Sequence, residues 1–168
     1  MATTDVAESE DFVSATLDDV NEVIEDVVRA GGGSTNVLAI IQGLNDPSSG
    51  MYSSIKGTDF KTRKEIASAV TTSVPVDDNL GVTIMLVNYL VTPVDLVDDD
   101  GTVNTAPRVV LIDSDGKAYH ATSVGLLSAL RSINNILGEP STWPEPVSIK
   151  VVSERGRNGY KYFTIKFV

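Results

Sequence analysis

From Gly81 to the C-terminus, apolar residues recur mostly with the two-residue period of β-strands, interrupted once by the three-and-four spacing of a helix. Gly81 to Val91 is almost wholly apolar and rich in branched side chains, which predicts a long first strand, buried on one face and partly covered on the other. Arg108 to Asp113 reads as a second strand, reached through a long acidic connection, Thr92 to Ala106, with a turn at Asp100-Gly101. Ser114-Asp115-Gly116 gives a tight hairpin into a third strand, Lys117 to Thr122, because Asp-Gly readily takes the positive φ angles such turns need. A helix is predicted from Ser123 to Leu137: Thr122 or Ser123 can cap it, and Leu126, Leu130, Ile133 and Leu137 form an apolar stripe. Gly138 suits a left-handed position after its end, and Pro140 prevents continuation. Val147 to Ser153 and Tyr160 to Val168 are the fourth and fifth strands, joined by the loop Glu154 to Gly159.

Three strands, a helix and two strands is the order of the OB-fold, whose usual ligands are single-stranded nucleic acids and oligosaccharides. The expected fold is therefore mainly β: an OB-fold-like five-stranded barrel (β-β-β-α-β-β) plugged at one end by its helix, with an N-terminal extension and a flexible acidic helical arm. In the arm, Leu17, Val20, Ile24 and Val27 recur at helical spacing among acids, and Thr16 can cap the start. Gly31-Gly-Gly-Ser-Thr35 breaks that helix as a flexible linker, which divides the chain into an arm at 1–35 and a domain at 36–168. Val37 to Ile41 is a short apolar run expected to form a strand that joins the barrel or covers an edge. Met51 to Ile55 follows the turn-rich Asn45 to Gly50. A helix is expected over Thr62 to Val70, with Ile66, Ala69 and Val70 on one face and Pro75 ending it.

At 168 residues and 42% hydrophobic content, one well-buried domain plus a tail is the expected organisation. With no cysteine, disulfides and cysteine-ligated metals are excluded. The N-terminus lacks the pattern of a signal peptide, and no window approaches the ~18 apolar residues of a membrane span. The expectation is a soluble cytoplasmic protein, that of the host cell if the source is viral. The net charge of −10 is concentrated. Residues 1 to 30 carry nine acids (Asp5, Glu8, Glu10, Asp11, Asp18, Asp19, Glu22, Glu25 and Asp26) against Arg29, a net of −8. Residues 145 to 168 carry Lys150, Arg155, Arg157, Lys161 and Lys166 against Glu145 and Glu154, a net of +3. Local charge decides where a polyanion can sit. Two readings of the arm follow: a solubilising tail, or an arm that docks replication or recombination proteins or masks the basic surface.

Alternation in the last strand places Phe163, Ile165 and Phe167 inward and Tyr160, Tyr162, Thr164 and Lys166 outward. Rings that stack on bases beside cations that track phosphates are what a sequence-tolerant single-strand binder needs. Lys117 and Tyr119 repeat the mixture in the third strand, and Arg155 and Arg157 lie on the loop between strands four and five, which flanks the OB ligand groove. The candidate platforms are Tyr160, Tyr162 and Tyr119, with Lys117, Lys150, Arg155, Arg157 and Lys166 as phosphate contacts. Tyr52, Lys56 and Arg108 are secondary candidates. Tyrosine and lysine also populate ordinary solvated strand faces, an account the pattern alone leaves standing.

Other chemistry is thinly represented. His120 is the single histidine, so neither a histidine metal cluster nor a Ser-His pairing has a second candidate, and a hydrogen-bonded strand histidine is expected. Asp98 to Gly101 and Asp113 to Gly116 lack the glutamate of a calcium loop and read as hairpin turns. Trp143 reads as a core anchor where the chain leaves the helix. No catalytic residue, cofactor or metal is expected.

The stretch Val110 to Leu127, the following Ile136-Leu-Gly-Glu-Pro-Ser-Thr-Trp-Pro-Glu-Pro-Val147 and the closing Gly159-Tyr-Lys-Tyr-Phe-Thr-Ile-Lys166 resemble the small single-stranded DNA-binding proteins of tailed bacteriophages infecting Gram-positive bacteria. Met51 to Ile55 resembles the start of those proteins, and the likeness spans about residues 36 to 168. It implies protection of single strands during phage DNA replication or recombination, without catalysis and without a cofactor. An acidic arm at the N-terminus departs from the expectation that such proteins carry their acidic docking tail at the C-terminus. The competing readings are a virion structural or assembly protein built on a β-barrel, and an oligosaccharide- or peptide-binding module. The expected partner is single-stranded DNA, homo-oligomerisation is a further possibility, and no membrane is involved.

Overall fold

The computed structural model describes residues 51–168. The arm, the glycine linker and the apolar run Val37 to Ile41 lie outside the described residues. Seven strands form one mixed sheet: β1 Tyr52–Ser53, β2 Val74–Pro75, β3 Thr83–Val97, β4 Val103–Asp113, β5 Ala118–Thr122, β6 Val147–Arg155 and β7 Lys161–Phe167. Helix α1 spans Phe60–Thr72 and helix α2 spans Val124–Leu137. The sheet order is β2-β5-β4-β3-β6-β7, with β1 added to β3, and only β2 and β5 pair in parallel. Strands β3, β4 and β5, helix α2, and strands β6 and β7 thus follow the OB order.

The long strand β3 makes the curl. Its first four residues pair with β6 (Thr83 with Lys150 to Leu86 with Val147), and the stretch from Asn88 to Val97 pairs with β4, with a register shift between Leu86 and Asn88. A strand shared between two meanders, with a bulge where it changes partner, bends the sheet into a half-barrel. Its concave side holds Ile84, Leu86, Tyr89, Val91, Val109, Leu111, Tyr119, Ile149, Val151 and Phe163 around Leu126, Leu127 and Leu130 of α2. A second cluster lies on the convex side, where Ala69 of α1 meets Leu90, Val110, Ile112 and Ala118, with Ile66 and Val70 packed against them.

Helix α2 forms where its signals predict. Ser123 Oγ accepts the Leu126 amide at 3.1 Å, and Gly138 takes φ +79° after the last turn. Leu126, Leu130 and Ile133 are buried as the stripe requires, joined by Val124 and Leu127, whereas Leu137 is 43% exposed because the last turn runs past the core. Trp143 is half-buried against the core and donates from Nε1 to the Gly138 carbonyl at 3.0 Å, the anchor expected of it. Helix α1 is longer than its apolar spacing indicates. Asp59 caps it by accepting the Thr62 amide at 2.9 Å, and Pro75 lies beyond its end in β2.

Two expectations change. The acidic connection Thr92 to Ala106 is not a loop, because β3 and β4 continue through it as a paired ribbon to a turn in which Asp98 N donates to Thr102 O at 2.9 Å. Pro93 and Pro107 sit directly opposite each other. Neither has an N–H, so theirs is a non-hydrogen-bonded position of the antiparallel ladder, where two prolines cost no rung. In β7, Phe163 is buried and Ile165 packs on the core, but Phe167 is 61% exposed. The alternation holds while the strand outruns the core it covers. The hairpin at Asp113 to Lys117 is as expected, with Gly116 at φ +88°.

Candidate nucleic-acid interface

The hairpin β6–β7 gathers most of the expected site. Register places Lys150 opposite Lys166, Val152 opposite Thr164 and Glu154 opposite Tyr162, so these six share the outer face. Two lysines directly across an antiparallel ladder repel each other, an arrangement that an anion between them would relieve. Glu154 partly offsets it: its Oε1 pairs with Lys166 Nζ at 3.0 Å and its Oε2 accepts from Tyr162 Oη at 3.3 Å. At the tip, a tight turn closes with Gly156 N donating to Tyr160 O at 2.7 Å, shortening the expected loop because β6 runs on to Arg155. Arg155 and Arg157 are exposed on that turn, and Tyr160 and Tyr162 are half-buried. The Tyr162 ring lies against the first turn of α2, where Gly125 leaves room for it.

The remaining candidates lie elsewhere and two need correction. Tyr119, expected as an exposed platform, is 3% exposed inside the half-barrel; Lys117 does share its face, with Nζ 4.9 Å from the ring centroid, but the ring is not available to a base. Tyr52 is buried too, stacked on Tyr89 with centroids 5.3 Å apart. Burial pushes the Tyr89 hydroxyl far above its ordinary range, with the Tyr52 hydroxyl adding to it. Lys56 is exposed and ion-paired with Glu139 at 3.2 Å. Arg108 stands opposite Thr92 and Thr122 on the convex face, with a buried Nε that has no hydrogen-bond partner. Strand β3 lies between it and the β6–β7 hairpin.

In OB-folds the ligand groove crosses the second and third barrel strands, between the loop joining strands one and two and the loop joining strands four and five. Here those strands are β4 and β5, and α1 covers Val110, Ile112 and Ala118 on that face. The two bracketing hairpins have opposite charge. The β3–β4 ribbon carries Asp95, Asp98, Asp99 and Asp100 with no base, whereas the β6–β7 tip carries Arg155, Arg157 and Lys161 against Glu154. A polyanion is drawn to the second and repelled from the first. The ribbon acids are occupied in shaping it: Asp98 accepts from Asn104 Nδ2 at 2.8 Å, Asp95 from Thr105 Oγ1 at 3.1 Å and Asp100 from the Thr102 amide at 2.8 Å. Among the described residues no three metal-ligating side chains converge. Phe60, Lys61, Arg63 and Lys64 on α1, which sequence periodicity does not single out, are exposed beside the groove face.

His120 is the hydrogen-bonded strand histidine expected of it, with Nδ1 2.9 Å from Ser73 Oγ. Burial holds its pKa below the ordinary histidine value, and the neighbouring Arg108 guanidinium lowers it further. The unfolded chain then takes up this proton first as pH falls, so the contribution to stability is complete above about pH 6.5 and declines below it toward the folded pKa. Melting curves from pH 8 to pH 5 check this. Wild type loses melting temperature below about pH 6.5, and His120→Asn loses less; parallel profiles would exclude the titration.

A protein-family model described as phage single-stranded DNA-binding protein matches residues 45–168. No curated protein and no solved structure matches the chain.

Proposed function

Since the chain belongs to the phage single-stranded DNA-binding protein family, we propose that it coats single strands of phage DNA without sequence preference and without catalysis, during replication or recombination. The observation that carries the reading to particular residues is the hairpin β6–β7, which brings Tyr160 and Tyr162 together with Arg155, Arg157, Lys150 and Lys166. Bases stack on rings at roughly 1–3 kcal/mol each regardless of identity, and the cations follow the phosphates. Arg108 extends the same chemistry on the convex face of β4, and Lys117 adds a cation just ahead of β5. The acidic arm at 1–35 is proposed to dock replication or recombination proteins.

Titrating the full chain into fluorescent oligo-dT, a duplex of equal length and a glycan panel tests this. Oligo-dT is bound, the duplex and glycans far more weakly, and log affinity falls against log salt with a slope of about −0.7 for each phosphate neutralised. Salt-independent affinity, or a preference for glycans, overturns it.

A further inference from the structure

Helix α1 carries a group of residues that its own stability does not explain. Phe60, its first residue, is 75% exposed. Lys61, Arg63 and Lys64 follow within the next turn, all exposed, and the first turn contains no acid. Cations near a helix N-terminus oppose the helix dipole, and an exposed phenyl ring gains nothing from burial. At 100° per residue, Phe60, Lys61 and Lys64 point one way while Ile66, Ala69 and Val70 point to the sheet, and Arg63, exposed in the first turn, stands at the border between the two sides. The ring is therefore flanked by cations on the solvent side of a helix that lies over β4 and β5, the strands whose convex face holds the ligand in OB-folds. The helix ends at that face's outer margin, where Ser73 bonds His120.

We infer that α1 is a second single-strand contact element, with Phe60 as a stacking platform and Lys61, Arg63 and Lys64 as phosphate contacts. The inference rests on the single-strand-binding reading and adds that the strand runs over α1 in place of the sheet beneath it. The sheet face that α1 hides, Val110, Ile112 and Ala118, has no ring or cation to offer. The helix supplies both.

The experiment uses the full chain with a fluorescent oligo-dT. Phe60→Ala weakens binding roughly 5- to 150-fold, the span of one lost base stack. Phe60→Trp restores it, and its indole emission changes when oligonucleotide is added. Lys61→Ala/Arg63→Ala/Lys64→Ala makes the log–log salt slope less negative by about 2. A purely structural role predicts lower melting temperatures; the inference predicts melting temperatures that hold or rise, because cations leave the positive end of the helix dipole. If wild type binds and these variants bind equally well with unchanged slope, α1 is not a contact element. If wild type fails to bind single strands at low salt, the functional reading fails before it.

Discussion

Gly125→Ala lowers the stability of the domain by about 1–2 kcal/mol, the upper part of the overpacking range less the roughly 1 kcal/mol by which alanine is the better helix former. The reason is a close approach between α2 and β7. A Cβ at position 125 would fall against the Phe163 carbonyl oxygen and lie 2.8 Å from Tyr162 Cδ2. The carbonyl belongs to a strand paired throughout with β6, so it cannot yield cheaply. Overpacking of this kind costs about 1–3 kcal/mol, and Gly125→Val, which adds volume without the helical benefit, costs more than alanine. Each kcal/mol corresponds to roughly 2–8 °C in melting temperature across the domain sizes that bracket this one. Ser128→Ala is the control, because it lies one turn along the same helix at a half-buried position and gains the propensity without the clash. Equal melting temperatures for Gly125→Ala and wild type would mean that α2 and β7 are not held this close. The same substitution pushes on Tyr162, so a loss of oligonucleotide affinity beyond the loss of stability accompanies it.

Gly125 also marks where the sequence stops being informative. Helix α2 is legible because every signal is local: the Ser123 cap, the Leu126, Leu130 and Ile133 stripe and the Gly138 stop act within a few residues of one another. The Asp-Gly hairpin at 113–117 is legible for the same reason. A glycine inside a helix reads as a mild defect, and only the strand packed against it, some forty positions away, reveals why it is there. Tyr119 and Tyr52 fail differently. Alternation separates two faces of a strand but does not say which is covered, and Lys117 beside Tyr119 suggested the solvent side. Lys117 precedes β5 and its flexible stem carries the ammonium over the ring from outside, while the ring itself fills the half-barrel. The β3–β4 ribbon hid behind Pro93 and Pro107, each a break when read alone and harmless once placed opposite the other. The cover of α1 over β4 and β5 is a tertiary fact with no local signature, since Ile66, Ala69 and Val70 say only that one side of the helix is apolar.

Those burial differences sort the tyrosines into two classes of variant, and the second large effect follows from the sorting. Tyr160→Ala/Tyr162→Ala together weaken oligo-dT binding by at least about thirtyfold, since two lost stacks are worth roughly 2–6 kcal/mol. Both rings are half-buried on the β6–β7 hairpin, so part of each loss appears as stability, but the core cluster keeps its members and the fold persists. Tyr119→Ala behaves in the opposite way. It removes a ring that is 3% exposed, costs stability of about 3–5 kcal/mol as other large core truncations do, and leaves the affinity of the folded fraction unchanged. Tyr162→Phe keeps the ring and loses only the hydroxyl that donates to Glu154, so it retains most of the affinity. Glu154→Gln releases Lys166 from its ion pair and removes a carboxylate from the face, which tightens binding by a few-fold at most, as expected for an exposed pair. Anisotropy titrations at one salt concentration, read beside melting curves of the same preparations, separate affinity from folding. If the double variant binds as tightly as wild type while remaining folded, the hairpin is not the binding face, and the stacking surface must be sought on other elements of the domain.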